Sequence, residues 1–304
     1  MIRKYFRNKV PGISSNALEE LLASIEAIRN HSSTIAFYGT PTQGNWLGIA
    51  NATMGLFQQN AIGIPQYFSH CRLSSKQVER LLEHLKQQQF ERMVFSGFAP
   101  YFLTWIEKLA ENHSIEVLYH GTISEWHDLS HRDFIGKLIQ LGKHGKIHRF
   151  GFVKKGLEEV FSTLYGFESY HHPLPDPNIP QNLTKLNLDR SKIHIGVFGA
   201  NTFNKNLHNQ VVHALLLENA VVHVLDKSIF AYLGMNHRIV EHGSNLPREQ
   251  FLSIVGSMDL NLYMSFNESW GLVAKESEAM GVPCLVLNNA EYFKLINEKI
   301  ESRK

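Results

Sequence analysis

The sequence predicts an α/β protein built from two doubly wound, parallel-sheet domains. Short apolar stretches alternate with longer amphipathic ones along the chain, which is the pattern of β-strands that alternate with α-helices. This order favours parallel sheets with helices on both faces. The chain has 304 residues, enough for two substantial cores. Because the stretch 171–187 is rich in proline and has little periodicity, we expect an N-terminal domain at 1–175, a linker at 176–190 and a C-terminal domain at 191–304.

In the first domain, leucine and isoleucine residues at helical spacing predict a helix over 13–30, with Ser14–Ser15 as its cap region. The elements expected after it from the same periodicity are strands at 34–38, 61–68, 92–96, 115–119 and 147–153, and helices at 74–88, 100–111, 132–144 and 154–163. The order of these elements is the basis for the parallel sheet.

Glycines follow the first predicted strand. Gly39, Gly44 and Gly48 loosen the turn into the next helix, where the backbone can wrap an anion or an acceptor. A plain strand-to-helix loop is the alternative. The spacing G-x4-G-x3-G is not the dinucleotide fingerprint.

The second domain repeats the alternation. Its expected elements are strands at 192–198, 221–225, 238–241, 259–264 and 284–287, and helices ending at 217, near 227–233, at 246–257, from 271 to 281 and at 290–298. Cys284 begins the strand that we expect to be buried, because the run is apolar. Pro247 is tolerated in the first turn of its helix, and Pro283 follows a helix end.

Charge and hydropathy exclude some classes of function. The 30 Lys+Arg and 28 Asp+Glu give a formal charge of +2, so nucleic acid is not indicated as a partner. The cluster Arg3, Lys4, Arg7 and Lys9 is either a solvated end or a contact with an anionic membrane. No apolar run is long enough to span a membrane, and the N-terminus lacks the apolar core of a signal peptide. We therefore expect a cytoplasmic protein, with the inner face of the cell membrane as the alternative.

Cysteine and histidine give no metal or disulfide pattern. Two cysteines, Cys71 and Cys284, are too few for a disulfide framework, and we expect both to be reduced. His127 and His131 have the i, i+4 spacing of a zinc helix, but their segment lacks a clear apolar face. We therefore expect no metal site.

The stretch 259–283 carries the strongest functional pattern. An apolar strand ends at Met264, the chain breaks, and a helix begins at Gly271, so the break lies at the carboxyl end of a strand, where open α/β sheets bind ligands. The helix N-terminus can accept a diphosphate, and glycine permits a close approach. Glu268 in the break and Glu276 in the helix can accept sugar and ribose hydroxyls. An ordinary helix start with acidic residues is the alternative.

The run N-E-S-W-G-L-V-A-K-E-S-E-A-M-G-V-P resembles the E-x7-E signature of retaining GT-B glycosyltransferases, the bacterial family-4-like group. The positions that match in one register are Glu268, Gly271, Glu276, Ala279, Gly281 and Pro283. The likeness is detailed in this stretch and architectural over the rest of the chain, so it supports the class better than the substrate.

The resemblance implies a GT-B fold, two Rossmann-like domains facing a cleft. It implies metal-independent transfer of a hexose or HexNAc from a nucleoside diphosphate sugar to a saccharide or lipid-linked acceptor, with retention of configuration. No cofactor is implied, and the sequence has no D-x-D motif. The resemblance makes Glu268 and His120 the catalytic residues. Glu268 would orient the donor sugar, and Glu276 would hold the ribose. His120, at the end of a predicted strand, would reach the sugar from the first domain, unless it is only a loop residue; Gly39 and Gly44 would form the acceptor-side loop.

The resemblance also places donor contacts in the loop after the strand 192–198. The complete donor set that it implies is Gly199, Lys205, Asn206, Ser269, Trp270, Gly271, Leu272 and Glu276. Ala200 departs from the family, which has an arginine at this position. A diphosphate in a cleft needs opposing charge, and Arg238 or Lys154 is the candidate replacement.

Two other functions stay open: a non-catalytic nucleotide-sugar or glycan-binding protein, and a nucleotide-sugar epimerase of the same fold. Ala200 favours the first of them. The chain also ends sooner after the signature than the family does. We expect a compact enzyme, a truncated form or a domain completed by a partner chain, with apolar surface left uncovered near the C-terminus.

Overall fold

The computed structural model describes residues 13–40, 47–65, 73–97, 99–244 and 246–287. The chain divides into two compact units, Met1–Pro175 and Asp176–Lys304. Several predictions lie outside the described residues: the basic cluster before residue 10, Gly44, Cys71 and the helix at 290–298.

The described part of the first unit consists of alternating helices and parallel strands. Its strands are β1 (Thr34–Gly39), β2 (Ala61–Ile64), β3 (Arg92–Ser96), β4 (Ser114–Tyr119), β5 (Arg149–Phe152) and β6 (Ser169–His171). Its helices are α1 (Ser15–Arg29), α2 (Leu47–Phe57), α3 (Ser75–Gln87), α4 (Pro100–Leu109), α5 (Leu129–Lys143) and α6 (Leu157–Tyr165). The Ser14 hydroxyl accepts a hydrogen bond from the Ala17 N–H and so caps α1, as predicted.

The six strands form one parallel sheet in the order β2-β1-β3-β4-β5-β6. Connections run from β1 to one side and then back past it to the other, so the order reverses between β1 and β3. One face of the sheet packs against α1 and α3 to α6, and Phe37, Phe95 and Trp105 lie in this core with almost no exposed surface. On the opposite face, Ser96 contacts Thr53 of α2.

The second unit has strands β7 (Ile193–Val197), β8 (Ala220–Val224), β9 (Ile239–Glu241), β10 (Leu260–Tyr263) and β11 (Cys284–Val286). Its helices are α7 (Leu207–Leu215), α8 (Arg248–Val255) and α9 (Leu272–Ala279), and shorter 3₁₀ turns lie at Phe203–Lys205, Ser228–Leu233 and Asn236–Arg238. The strands are parallel, in the order β11-β10-β7-β8-β9. Helices cover both faces of this sheet. Val211 of α7 packs with Ile195 and Leu262 on one face, while the Asn261 side chain, on the other face, donates to Val255 O of α8 and to Ser277 Oγ of α9.

The alternation of strand and helix is confirmed, and several element ends are shifted by a few residues, such as the start of α6 at Leu157. Three differences have identifiable causes. Strand β6 was not predicted, because Ser169–His171 is short and polar. Helix α5 begins at Leu129, three residues early, because the Asp128 carboxylate accepts from Ser130 N and caps it. The prediction that β11 is buried is wrong: Leu285 is 51% exposed, because β11 is the outermost strand of the sheet that the described residues form. No helix in the described ranges is both long and apolar enough to cross a membrane.

Candidate functional site

The strand order of the second unit reverses between β7 and β10. From β7 the chain moves outward through β8 and β9, and it then returns to the other side of β7 to form β10 and β11. Open α/β sheets bind ligands at the carboxyl ends of the two strands that flank such a reversal. Two segments emerge there: the β7 loop, residues 198–206, and the β10 loop, residues 264–271.

Hydrogen bonds join the two loops directly. The Phe266 N–H donates to Asn204 O over 2.8 Å, and the Asn206 side-chain amide donates to Met264 O over 3.1 Å. Asn206 adopts a left-handed backbone with φ of 54°, which asparagine tolerates better than most residues. This conformation places the residue between the 3₁₀ turn and α7 and turns its side chain toward the β10 loop.

The side chain of Gln210, in α7, forms hydrogen bonds with both loops. Its side-chain N–H donates to Lys205 O over 2.7 Å, and its side-chain oxygen accepts from Met264 N over 3.0 Å. The side chain is 1% exposed. A buried amide that serves two loops in this way fixes their separation, since losing either bond would leave a buried polar group unpaired.

Lys205, predicted to bind the donor, and Glu268, predicted to orient its sugar, meet across the two loops. The Lys205 Nζ atom lies 2.6 Å from Glu268 Oε1, and the two side chains are 21% and 20% exposed. Lys205 also lies 3.5 Å from the Tyr263 hydroxyl and over the Tyr263 ring. Burial, with Glu268 next in importance, raises the pKa of Tyr263 well above its usual value, so the hydroxyl stays protonated. The lysine is therefore held at the sheet edge by a carboxylate and a phenol.

The second glutamate is buried. Glu276 is 1% exposed, and its Oε1 accepts from the Arg248 guanidinium at the start of α8. Desolvation raises the pKa of Glu276, and Arg248 opposes that rise. The charge of this arginine is thus what favours the ionised carboxylate.

The start of α9 presents unpaired polar groups. Gly271 precedes the helix with φ of +77°, in the left-handed region that favours glycine. Three buried polar atoms in this segment have no hydrogen-bond partner among the described residues: Asn267 Oδ1, Trp270 Nε1 and Glu276 Oε2. Buried polar groups in native proteins are nearly always paired. An accumulation of unpaired ones beside a helix N-terminus is therefore an arrangement that a polar ligand can complete.

The remaining donor residues lie on the same edge. Gly199 follows β7, and a Cβ there would come within 3.1 Å of Leu207, so a side chain would crowd the start of α7. Ser269 and Leu272 are partly buried on either side of Gly271. Ala200 is exposed in the β7 loop.

The expectation that Arg238 replaces the missing arginine is not supported by its position. Its guanidinium donates to Ala220 O and Leu217 O, the backbone carbonyls at the start of β8 and in the turn before it. Lys154 belongs to the first unit. The second cation that the structure brings to the site is Arg248, 28 positions before Glu276 in the chain.

In the first unit, the predicted residues Gly39 and His120 lie at the carboxyl ends of two parallel strands of one sheet. Gly39 ends β1, and His120 directly follows β4. His120 Nε2 lies 2.8 Å from Ser96 Oγ, which in turn lies 2.6 Å from Thr53 Oγ1. Thr53 donates to Ile49 O. Because that carbonyl can only accept, the bonds run in one direction, with Ser96 donating to Thr53 and His120 Nε2–H donating to Ser96.

His120 is neutral near pH 7. Burial is the main cause, and His172 adds to it; together they lower the pKa of His120 to about 3. The side chain is 8% exposed. A neutral imidazole can form hydrogen bonds with a ligand but carries no charge to offer one.

The sequence predicted Glu268, Glu276 and Lys205 as site residues, whereas Tyr263, Gln210 and Arg248 were not predicted. The sequence contains a feature that points to Tyr263, since it is the penultimate residue of the predicted strand. No sequence feature points to Gln210 or Arg248, because their contacts join segments far apart in the chain.

Among the described residues, no group of three or more His, Cys, Asp or Glu side chains is placed so that it could hold a metal ion. His131 lies in the first turn of α5. The side chain of His127 is outside the described set.

Comparison with known proteins identifies the fold. No protein-family model matches the sequence, and no curated protein sequence matches it. Among solved structures, the chain is similar to HepE from Anabaena in complex with UDP and glucose, at 11% identity and a TM-score of 0.62, covering 87% of this chain and 83% of that one. It is also similar to sucrose-phosphate synthase from Thermosynechococcus elongatus, at 12% identity and a TM-score of 0.59, covering 85% and 82%.

A third similar structure is the lipopolysaccharide outer core galactosyltransferase WaaB, at 12% identity and a TM-score of 0.50, covering 83% of this chain and 80% of that one. With the two parallel sheets and their strand orders, these similarities define the class: the chain has the Rossmann-like domains of the GT-B fold.

Proposed function

We propose that the protein is a glycosyltransferase that takes a hexose or HexNAc from a nucleoside diphosphate sugar and transfers it, with retention of configuration, to a saccharide or lipid-linked acceptor. One observation carries the proposal: Glu268, Glu276 and Lys205 lie on the edge where the second sheet reverses its strand order. The E-x7-E resemblance supports it, as does the fold similarity to HepE, whose structure contains UDP and glucose.

In this proposal the donor diphosphate lies between Lys205 and the N-terminus of α9. The leaving diphosphate gains negative charge as the glycosidic bond breaks, and a lysine and backbone N–H groups already fixed in place stabilise that charge. The positive charge that a metal ion supplies in other diphosphate sites comes here from the protein's own groups. We propose that no cofactor takes part.

To bind Lys205, the donor diphosphate must displace Glu268 from its ion pair with this lysine. When the diphosphate takes the Lys205 ammonium group, the Glu268 carboxylate is released and can accept hydroxyls of the transferred sugar. Binding of the donor and orientation of its sugar are thereby linked through two side chains that now hold each other.

Glu276 receives the ribose in this proposal. Its Oε2 is buried and has no hydrogen-bond partner among the described residues, so a hydroxyl donor there would form a charge-assisted bond without breaking an existing hydrogen bond of the carboxylate. We keep His120, in the first unit, as a proposed catalytic residue that would act as a neutral hydrogen-bonding group.

The experiment that tests the proposal is a turnover assay with UDP-, GDP- and ADP-sugars and a panel of saccharide acceptors. We expect release of nucleoside diphosphate that depends on acceptor, and a product with the anomeric configuration of the donor by ¹H NMR. Glu268→Gln should abolish transfer. An inverted product would refute retention, and an isomeric sugar formed without acceptor would identify an epimerase.

Ala200 is the specific observation that favours a second candidate, a nucleotide-sugar-binding protein without turnover. An alanine in the β7 loop offers the diphosphate no charge. Saturable binding of a nucleotide sugar, with no product from any acceptor, would favour this candidate.

A further inference from the structure

Arg248 lies at the first position of α8, directly after Pro247. Its guanidinium donates to Glu276 Oε1, and no other ion pair of Glu276 is present among the described residues. The arginine is 37% exposed while the carboxylate is 1% exposed. The pair therefore joins a side chain that reaches solvent to one that does not.

A buried carboxylate without a counter-charge is costly, and such a group usually takes up a proton instead. A protonated carboxyl is a poorer acceptor for a hydroxyl than a carboxylate, because charge-assisted hydrogen bonds are about twice as strong as neutral ones. The counter-charge on Glu276 therefore controls how well this residue can bind a hydroxyl.

The pairing also distinguishes the two carboxylate oxygens of Glu276. One guanidinium N–H of Arg248 donates to Oε1, and Oε2 is left as the acceptor without a partner in the described structure. A rigid donor fork orients a carboxylate more narrowly than a lysine ammonium group does.

Other titratable groups around Glu276 do not compete for this role. α9 packs against α8, β10 and β11, and the facing groups are Arg248, Tyr263 and Cys284. Burial raises the pKa of both the phenol and the thiol, so each is neutral near pH 7. On α9 itself, Lys275 pairs with Glu278 on the exposed side.

We propose that Arg248 is a positioning residue for nucleotide recognition: it holds Glu276 as an anion and presents Oε2 to a hydroxyl of the ribose. This inference rests on the proposed donor site and assigns part of it to α8, a helix outside both loops and outside the E-x7-E signature.

Two measurements test this role separately. The first is a ¹³C NMR titration of the Glu276 carboxyl group, assigned by difference from Glu276→Gln. We expect the titration midpoint to rise by more than one pH unit in Arg248→Gln and by less in Arg248→Lys, which keeps the charge but not the fork. The matched control is Lys275→Gln, which removes a positive charge from the neighbouring position and should leave the midpoint unchanged.

The second measurement is calorimetric affinity for UDP, GDP and ADP between pH 6 and pH 8.5. For the nucleotide that binds, Arg248→Gln should weaken affinity about tenfold at the acid end and recover part of it at the alkaline end, because the carboxylate must first lose a proton. Wild-type affinity should vary less over this range. The double variant Arg248→Gln/Glu276→Gln should lose the added pH dependence.

An unchanged Glu276 midpoint in Arg248→Gln would overturn the proposal, and so would unchanged affinity at every pH when the wild type binds nucleotide. Failure of the wild type to bind any nucleoside diphosphate is a different result, since it refutes the donor site itself and the role of Arg248 with it. If Arg248→Gln does not fold, Arg248→Lys gives both readouts.

Discussion

Glu268→Gln should tighten the binding of a nucleoside diphosphate while it abolishes sugar transfer. The Glu268 carboxylate lies 2.6 Å from the Lys205 ammonium group. A diphosphate that uses this lysine must first take it from the glutamate. Glutamine keeps the size of the side chain but removes the competing charge, so Lys205 becomes available without that cost.

The magnitude follows from the burial of the pair. At an effective dielectric constant of about 20, two unit charges about 4 Å apart attract by about 4 kcal/mol. Desolvation and the ordering of two side chains offset most of this, and pairs with access to water contribute up to about 1 kcal/mol net. Both side chains retain about a fifth of their exposure. Removing the competitor should therefore improve affinity about fivefold, the equivalent of about 1 kcal/mol.

Isothermal titration with UDP, GDP and ADP, and with the matching nucleosides, measures this effect. Lys205→Met should act in the opposite direction, weakening the diphosphate about tenfold or more and leaving the nucleoside unaffected. The charge control is Glu278→Gln, which removes an exposed carboxylate from α9 and should change neither affinity. Weaker diphosphate binding in Glu268→Gln would refute the competition, because it would mean that the glutamate supports the phosphate contact.

Three further predictions concern the framework of the sites. Gly271→Ala should lower the unfolding midpoint and weaken nucleotide binding, at a cost of about 1 kcal/mol, because φ is +77° while the nearest atom to the new Cβ is 3.5 Å away, so the strain is in the backbone. Gln210→Leu should cost about 1–3 kcal/mol of stability by leaving the Lys205 carbonyl and the Met264 N–H unpaired; an unchanged melting curve would contradict the bridging role. The pKa of His120 is about 3 in the folded protein, below the ordinary 6.5, so the histidine is protonated in the unfolded chain at a higher pH than in the folded protein. The free energy of unfolding that the neutral His120 contributes is therefore complete above about pH 6.5, and it falls by about 1.4 kcal/mol per pH unit toward pH 3. Denaturation at pH 7 and pH 5 should show a smaller loss of stability in His120→Gln than in the wild type.

Much of the fold is readable from local sequence, because each strand and helix carries its own periodicity. The cap at Ser14 and the helix stop at Gly281 are local signals as well, and the structure has both. Strand β6 carries no such signal: Ser169–His171 is polar and joins the sheet through backbone hydrogen bonds to β5. The misjudged burial of Leu285 has a related cause, since apolar composition cannot distinguish a central strand from an outer one.

The candidate site also has a part that local sequence predicts and a part that it does not. Glu268 and Glu276 fall within one short pattern, and the placement of Glu268 beside Lys205 follows from the strand order of a doubly wound sheet. Arg248 could not be chosen from sequence, because only the packing of α8 on α9 brings it to Glu276. Arg238 was a predicted replacement for the missing arginine, yet its guanidinium donates to backbone carbonyls. Side-chain partners across the fold are therefore the part of the site that required the structure.

The most direct test of the donor site is a thermal-shift comparison of the wild type, Glu276→Ala and the control Glu278→Ala with UDP, GDP, ADP and their common sugars. A ligand at a hundred times its dissociation constant adds about 2.7 kcal/mol of stability. We predict that one family of nucleoside diphosphates stabilises the wild type and the control, and that the shift is lost in Glu276→Ala. An equal shift in all three proteins would remove Glu276 from the site, and no shift in the wild type with any nucleotide would contradict the donor site as a whole.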